Sequence, residues 1–180
     1  MIDYQTISIV LTGIGMIIAL TYYALQIRNQ NKTRRMQFLT QMSNSIRTVE
    51  GYENYFEVMN AEWSSYDDFE RKYGSDNNPK NAAMRYSMWN THNDLGYLVR
   101  IGLIDIEDVY HLMETGTTWL WMKWEPIISY QRKRYNGADW LSHFEYLATE
   151  LLKIKISRDP TYTVPENFTK YNSEHEPANP

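Results

Sequence analysis

The chain has 180 residues, a formal net charge of −4 and no cysteine. The absence of cysteine excludes disulfides, thiolate metal sites and a cysteine nucleophile. A net charge this small gives no argument for nucleic-acid binding, and we expect none. Aromatic residues are abundant, with 15 Tyr and 6 Trp against 5 Phe, which favours a domain rich in amphipathic rings.

The first long segment, residues 7–27, reads ISIVLTGIGMIIALTYYALQI and carries no charge. At ~1.5 Å per residue a helix of this length spans roughly 30 Å, the thickness of a bilayer's hydrocarbon core. A cleaved signal peptide is disfavoured because Asp3 makes the start acidic and no small-residue cleavage site follows. A core helix would not be apolar on every face, and an interfacial helix would need a strongly polar face. The sequence therefore predicts a transmembrane helix over 7–27.

The charges that flank this segment predict its orientation. Residues 1–6 hold only Asp3, whereas the following flank is cationic. The positive-inside bias places residues 1–6 outside the cell as a short tail, and the rest of the chain in the cytoplasm at the plasma membrane. The same cations are candidates for contact with anionic lipid headgroups, and setting the topology would explain them equally well. They are Arg28, Lys32, Arg34 and Arg35.

Small side chains recur within the transmembrane segment at spacings of four, three and four. Such spacing places them on one helix face, where another helix can approach closely in lipid. We therefore expect this face to pack against a membrane-protein partner or a second copy of the chain. The alternative is that small residues are simply frequent in membrane helices. The face consists of Ser8, Thr12, Gly15 and Ala19.

Apolar residues continue beyond the cationic flank at alternating steps of four and three, from Met42 to Trp63. Gly51 is the only helix-weakening residue in this stretch, and no proline occurs before position 79. The pattern predicts that the membrane helix continues without a break to about Asn60 and packs against its own domain.

Capping residues mark the helices that follow. Ser65 predicts the start of a short helix. Pro79 suits the first turn of a second long helix, which ends at Gly102, where a left-handed residue is favoured. Asp105 caps the next helix, which we expect to end near Gly116.

The segment 117–135 combines tryptophans with cations. Pro126 is expected to kink or split its helix. The indole rings could lie against the membrane interface, or in the core with the cations solvated. The core is favoured, because large aromatic side chains in a helical domain are usually buried. The residues concerned are Trp119, Trp121, Lys123, Trp124, Arg132, Lys133 and Arg134.

A final apolar stripe from Trp140 to Ile154 predicts one more helix. Residues 158–180 hold four of the six prolines and are typical of a disordered tail. No segment shows the alternation of a strand, so the predicted class is all-α. The transmembrane helix continues into a cytosolic bundle of about five to six helices over residues 28–157.

Few residues have the spacing that chemistry requires. Asp108, His111 and Glu114, with Glu107 beside them, have the spacing of carboxylate and imidazole metal ligands on one helix. Such sites need a second copy of the motif as well as further glutamates from other helices, and the sequence lacks the second copy. His92 could serve in acid–base chemistry, but a hydrogen-bonded structural histidine is the commoner outcome. We therefore expect no metal site, no cofactor and no catalytic residue.

The strings TYYALQIRNQNKTRR and DLGYLVRIGLIDIEDVYHLM, followed by Trp124 and a closing helix, carry a family resemblance. Over residues 7–155 the chain resembles a group of small membrane-anchored archaeal and bacterial proteins classed as a domain of unknown function, DUF4760. The resemblance implies a single-pass anchor with a helical cytosolic domain. It implies no activity and no catalytic residues.

The sequence favours a single-pass, membrane-anchored helical interaction module that acts as a scaffold, sensor or accessory subunit, without catalysis. Its expected partners are membrane lipids and a membrane protein. Two alternatives remain open. One is a helical metalloprotein or enzyme that uses His92, His111 and residues 107–114, and the other is a module that responds to anionic lipids.

Overall fold

The computed structural model describes residues 3–169, except for the side chains of Thr6, Ser45, Glu114 and Thr115. Within this part of the chain all regular secondary structure is helical, which confirms the predicted all-α class. The chain divides into two compact units, residues 1–42 and 43–180. The helices are α1 (Tyr4–Ile46), α2 (Val49–Asn60), α3 (Tyr66–Tyr73), α4 (Pro79–Arg100), α5 (Ile106–Arg134), α6 (Ser142–Arg158) and α7 (Glu166–Thr169).

The described part of the first unit consists almost entirely of α1. The stretch Ile7–Asn44 is long and apolar enough to cross a membrane, and none of its most apolar window is buried. The hydroxyls of Thr12 and Thr21 donate to the carbonyls of Ser8 and Ile17, both at 2.8 Å. These hydroxyls are therefore satisfied inside the helix, as a lipid environment requires.

The prediction of one unbroken helix to about Asn60 is wrong, because α1 ends at Ile46 and α2 begins at Val49. Thr48 lies between them in an extended conformation, and its hydroxyl caps α2 by accepting a hydrogen bond from the Gly51 amide at 2.9 Å. A Cβ added at Gly51 would collide with the carbonyl of Ile46. The apolar spacing continues across this break at residues 47–48, which we call the corner. Periodicity alone therefore could not reveal it.

In the second unit α6 packs against both α4 and α5, and α4 also contacts α2 and α3. The α4–α6 approach is close, because a Cβ on Gly96 would collide with the carbonyl of His143. Leu141 precedes α6 with φ 60° and provides no side-chain cap. The Asn93 side chain of α4 replaces it by accepting from the amides of His143 and Phe144 at 3.2 and 3.3 Å. Packing and capping thus join these two helices at the same place.

The other predicted helix boundaries are confirmed in detail. The Ser65 hydroxyl accepts from the Asp68 amide at 3.1 Å, and Pro79 is the first residue of α4. Gly102 has φ 70°, in the left-handed region. Asp105 caps α5 by accepting from the Glu107 amide at 3.0 Å, so a local signal marks each of these boundaries. 

The predicted end near Gly116 and the predicted split at Pro126 are wrong, because α5 runs through both positions. A proline inside a helix removes one backbone hydrogen bond and costs ~3 kcal/mol. Leu120 and Trp124 before the proline and Ile128 after it are fully buried. Burial along both halves stabilises the continuous helix against this local cost.

Part of the predicted disordered tail has a defined structure. Residues 166–169 form α7, which packs against α5. The Phe168 ring stacks on Trp119 with centroids 4.8 Å apart, and Trp119 Nε1 donates to the Tyr162 hydroxyl at 3.1 Å. The prediction therefore does not hold for residues 159–169, and residues 170–180 lie outside the described part of the chain.

The core of the second unit surrounds one buried cation. Arg85 of α4 is 1 % exposed. Its guanidinium carbon lies 4.8 Å from the ring centroid of Phe69 and 5.3 Å from those of Trp89 and Trp124. At these distances the ring faces attract the cation, and the interaction is strengthened by the exclusion of water.

Hydrogen bonds hold two of the three guanidinium nitrogens of Arg85, whereas its buried Nη1 has no described partner. Its Nε donates to Asn81 Oδ1 at 2.9 Å, and its Nη2 donates to the carbonyl of Tyr73. Burial lowers the pKa of Arg85 to about 10, so the side chain still carries its charge at neutral pH. Among the described residues no carboxylate forms an ion pair with it. Aromatic faces and neutral acceptors surround the charge, and Glu70 attracts it without forming an ion pair.

The tryptophan-rich segment 117–135 belongs mainly to the core, which is the location that the sequence favoured over the membrane interface. Trp121 and Trp124 are 5 % and 0 % exposed. Lys123 is also buried and donates through Nζ to the carbonyl of Met59 at 2.6 Å, which joins α5 to α2. Lys133 and Arg134 are exposed at the end of α5.

Replacing Arg85 with alanine should destabilise the protein by about 3–5 kcal/mol, because the change empties the centre of the aromatic cluster. Arg71→Ala is the matched control, since Arg71 is exposed and pairs with Asp68 at 2.5 Å; it should cost less than ~1 kcal/mol. The measurement is the free energy of unfolding of the full chain in mild detergent, followed by tryptophan fluorescence. Similar losses in both variants would contradict a central role for Arg85.

Candidate functional site

A cavity of about 390 Å³ lies within the second unit, and we call it the His92 cavity. Its lining comes from the corner between α1 and α2, from α2 itself, from α5 and from one residue of α4. The volume falls in the range of roughly 300–1,000 Å³ that is typical of small-molecule sites. Aromatic side chains dominate its walls: Tyr52, Tyr55, His92, Tyr110, His111 and Trp119.

His92 is buried, and its hydrogen bond determines its tautomer. The ring is 6 % exposed and packs against Phe144 with centroids 5.2 Å apart. Nδ1 lies 2.7 Å from the carbonyl of Met88. Because a carbonyl only accepts, Nδ1 must carry the proton, and the neutral ring then offers Nε2 as an acceptor. Burial lowers the pKa of His92, which favours this neutral form.

Two hydroxyl groups add polarity to the cavity. Burial raises the pKa of Tyr55 to about 12, so its hydroxyl remains protonated at neutral pH. Ser43 is 2 % exposed, and its Oγ has no hydrogen-bond partner among the described atoms. A third hydroxyl, that of Thr117, donates to the carbonyl of Met113 at 3.0 Å. The cavity therefore combines mainly apolar walls with several hydroxyl groups and the charged side chain of Arg47.

Further contacts of the lining residues hold two walls of the cavity. Arg47 at the corner donates through Nη2 to the carbonyl of Leu112 and so joins the corner to α5. Trp119 is covered by Phe168 and bonded to Tyr162, as described above. These contacts give the walls a defined position before any ligand binds.

The structure brings together two of the histidines that the sequence singled out, because His92 and His111 line the same cavity. Glu107 instead pairs with Arg158 of α6, and the Glu114 side chain is outside the description. Across residues 3–169 the described side chains contain no group of three or more that could hold a metal ion. The cluster of Asp108, His111 and Glu114 stays untested, because the Glu114 side chain lies outside the description.

Comparison with known families gives a match over residues 9–151 to the family described as Domain of unknown function (DUF4760). The chain belongs to the DUF4760 family. The matched range includes every residue that lines the His92 cavity. No curated protein and no solved structure matches the chain significantly.

The sequence-predicted membrane residues of this DUF4760 protein lie on the exposed surface of α1. Ser8, Thr12, Gly15 and Ala19 are all exposed, and a Cβ added at Gly15 would have no described heavy atom within 4 Å. The four cations of the flank are also exposed, and the described residues form no ion pair with them. Packing of the small-residue face and lipid contact by the cations both stay predictions.

Sequence reasoning missed three features of the cavity: the hydroxyl of Ser43, the ring of Tyr55 and the position of Gly116. Tyr55 was hidden in the apolar periodicity, and Ser43 carried no motif. Gly116 carries no clear local signal, because Thr117 and Thr118 directly after it are residues that could also begin a new helix. A glycine inside a continuing helix then needs another explanation.

His92 should make the protein less stable as the pH falls from 7 to 5. The unfolded histidine takes up a proton near its usual pKa of about 6.5, whereas the buried ring has a lower pKa, so acid favours unfolding. The His92→Asn variant can still donate to the Met88 carbonyl but does not titrate. Its free energy of unfolding, measured by urea denaturation at both pH values, should fall less than that of the wild type. An equal fall in both proteins would contradict the prediction.

Proposed function

We propose that this DUF4760 protein is a single-pass membrane-anchored module with a non-catalytic binding role, as a scaffold, sensor or accessory subunit of a membrane complex. The observation that carries the proposal is the apolar stretch of α1, which is charge-free over residues 7–27 and unburied. Exposing so many apolar side chains to water is unfavourable, and a bilayer removes that cost.

The flanking charges support one orientation. Asp3 precedes the apolar stretch, and four cations follow it within eight residues of Ile27. The helical domain would then lie on the cytoplasmic side of the plasma membrane. The same exposed cations would contact anionic headgroups at ~1 kcal/mol for each cation near the surface. A response to anionic lipids is therefore compatible with the anchor.

The binding role is supported by two surfaces. The first is the small-residue face of α1, where Gly15 leaves room for a second helix and the Thr12 hydroxyl is already satisfied by Ser8. The second is the lining of the His92 cavity in the helical domain. Among its described side chains this domain has no cluster of metal-ligating groups.

The absence of cysteine permits a direct test of orientation, because a single introduced thiol has no background. Asp3→Cys places it before the apolar stretch, and Ser75→Cys places it in the exposed loop between α3 and α4. In intact cells a membrane-impermeant maleimide should label only the Asp3→Cys variant. The Ser75→Cys variant should react after permeabilisation. Labelling in the reverse pattern, or release of the protein by alkaline carbonate, would overturn the proposed topology or the anchor.

The partner-binding face can be tested with two glycines of the same helix. Gly13 and Gly15 both have open space around an added Cβ, but they point about 160° apart on a helix. Gly15→Leu should reduce the crosslinked species formed in native membranes by roughly tenfold, because the leucine separates the helices. Gly13→Leu should retain the crosslinking of the wild type. Equal crosslinking by the two variants would argue against a helix partner on this face.

A further inference from the structure

We propose that the His92 cavity is a binding site for a small, planar, mostly apolar molecule that carries one N–H or O–H donor. The site lies wholly within the second unit, so the proposal does not depend on how α1 is anchored. A volume of about 390 Å³ accommodates one or two fused rings with space for substituents.

The walls favour a planar apolar ligand. Tyr52, Tyr55, Tyr110 and Trp119 present aromatic surfaces to one cavity, and such rings stack or make edge contacts with another ring system. The Trp119 indole is held from behind by Phe168 and has its own N–H occupied by Tyr162. Its contribution is therefore a fixed apolar surface, and a preorganised wall lowers the entropic cost of binding.

His92 gives the site a preference for a hydrogen-bond donor. Its Nδ1–H is used by the Met88 carbonyl, which leaves Nε2 as an acceptor on a ring that lines the cavity. A ligand N–H or O–H that reaches Nε2 would satisfy it, whereas a ligand without a donor would cover it and leave it unpaired. Covering an acceptor in this way should weaken binding about tenfold, so the site should discriminate between otherwise similar molecules. 

Gly116 provides an independent observation, because a glycine at this position keeps the cavity space beside Tyr55 free of a side chain. It lies inside α5, where glycine is less favourable than alanine. Its φ is not positive, and the nearest described heavy atom to an added Cβ is the Tyr55 hydroxyl oxygen at 3.9 Å. Neither backbone conformation nor close packing therefore requires glycine here. What a larger side chain would remove is the space beside Tyr55 in the cavity.

Ser43 adds a second unsatisfied polar group at the same place. Its Oγ is buried without a described partner, although a serine in a helix commonly donates to a carbonyl one turn earlier. Ser43 and His92 are thus two neutral polar groups in a cavity whose walls are mainly apolar, and the Arg47 guanidinium, which also lines it, donates to the carbonyl of Leu112. This combination fits a neutral ligand with a polar substituent better than it fits a hydrocarbon.

The test uses the full chain in lipid nanodiscs, with empty nanodiscs subtracted, and two probes of the same shape. Indole has an N–H donor, and benzothiophene replaces that N–H with sulfur. Calorimetric titration should show indole binding with a Kd on the order of 0.1 mM, and benzothiophene binding about tenfold more weakly. Absence of indole binding, or equal affinity for the two probes, would overturn the proposal.

Variants then place the probe in the cavity. Gly116→Leu should abolish indole binding by filling the space, whereas Gly116→Ala should retain it and serve as the control for helix propensity. His92→Phe keeps an aromatic ring but removes the acceptor, and it should reduce the affinity for indole to that for benzothiophene. Circular dichroism checks that each variant folds. If the Gly116→Leu variant does not fold, the indole affinity of the His92→Phe variant decides whether the probe binds in the cavity. Wild-type indole affinity in a folded Gly116→Leu or His92→Phe variant would refute the assignment.

Discussion

A single guanidinium group joins three helices of the domain. Arg85 belongs to α4, and its charge is enclosed by Phe69 of α3, by Trp124 of α5 and by its neighbour Trp89. A buried charge is tolerated only where contacts replace its lost hydration, so these rings cannot move apart independently. The orientation of α5 that follows from this cluster also sets where its earlier turns line the His92 cavity. The core and the site are therefore parts of one packing arrangement.

The helix boundaries fall into two groups: those set by residues close in the sequence and those set by contacts between distant segments. Ser65, Asp105 and Gly102 act through hydrogen bonds or backbone conformations within a few residues, and they could be predicted from the sequence. The corner before Val49 and the continuity of α5 through Pro126 could not. In both places the local preference is overridden or hidden by contacts between distant segments, which a pattern within one helix does not contain.

The cavity was only partly predictable for the same reason. His92 and His111 attracted attention as candidates for metal or acid–base chemistry, and their common location is a result of α4 and α5 packing together. The tautomer of His92 depends on the Met88 carbonyl, one turn earlier in the same helix, and could have been expected. The position of Gly116 facing Tyr55 could not, since it depends on how α2 and α5 lie together. 

The covering of Trp119 by Phe168 and Tyr162 has a practical consequence for the boundaries of the domain. A fragment ending at residue 157, one residue before the end of α6, would contain every residue of the cavity lining but would lack both of these covering side chains. One face of the indole would then be open to water, and its N–H would have lost its partner. Experiments on isolated fragments must therefore extend to at least Thr169, because a shorter piece would give a misleading account of what the site can hold.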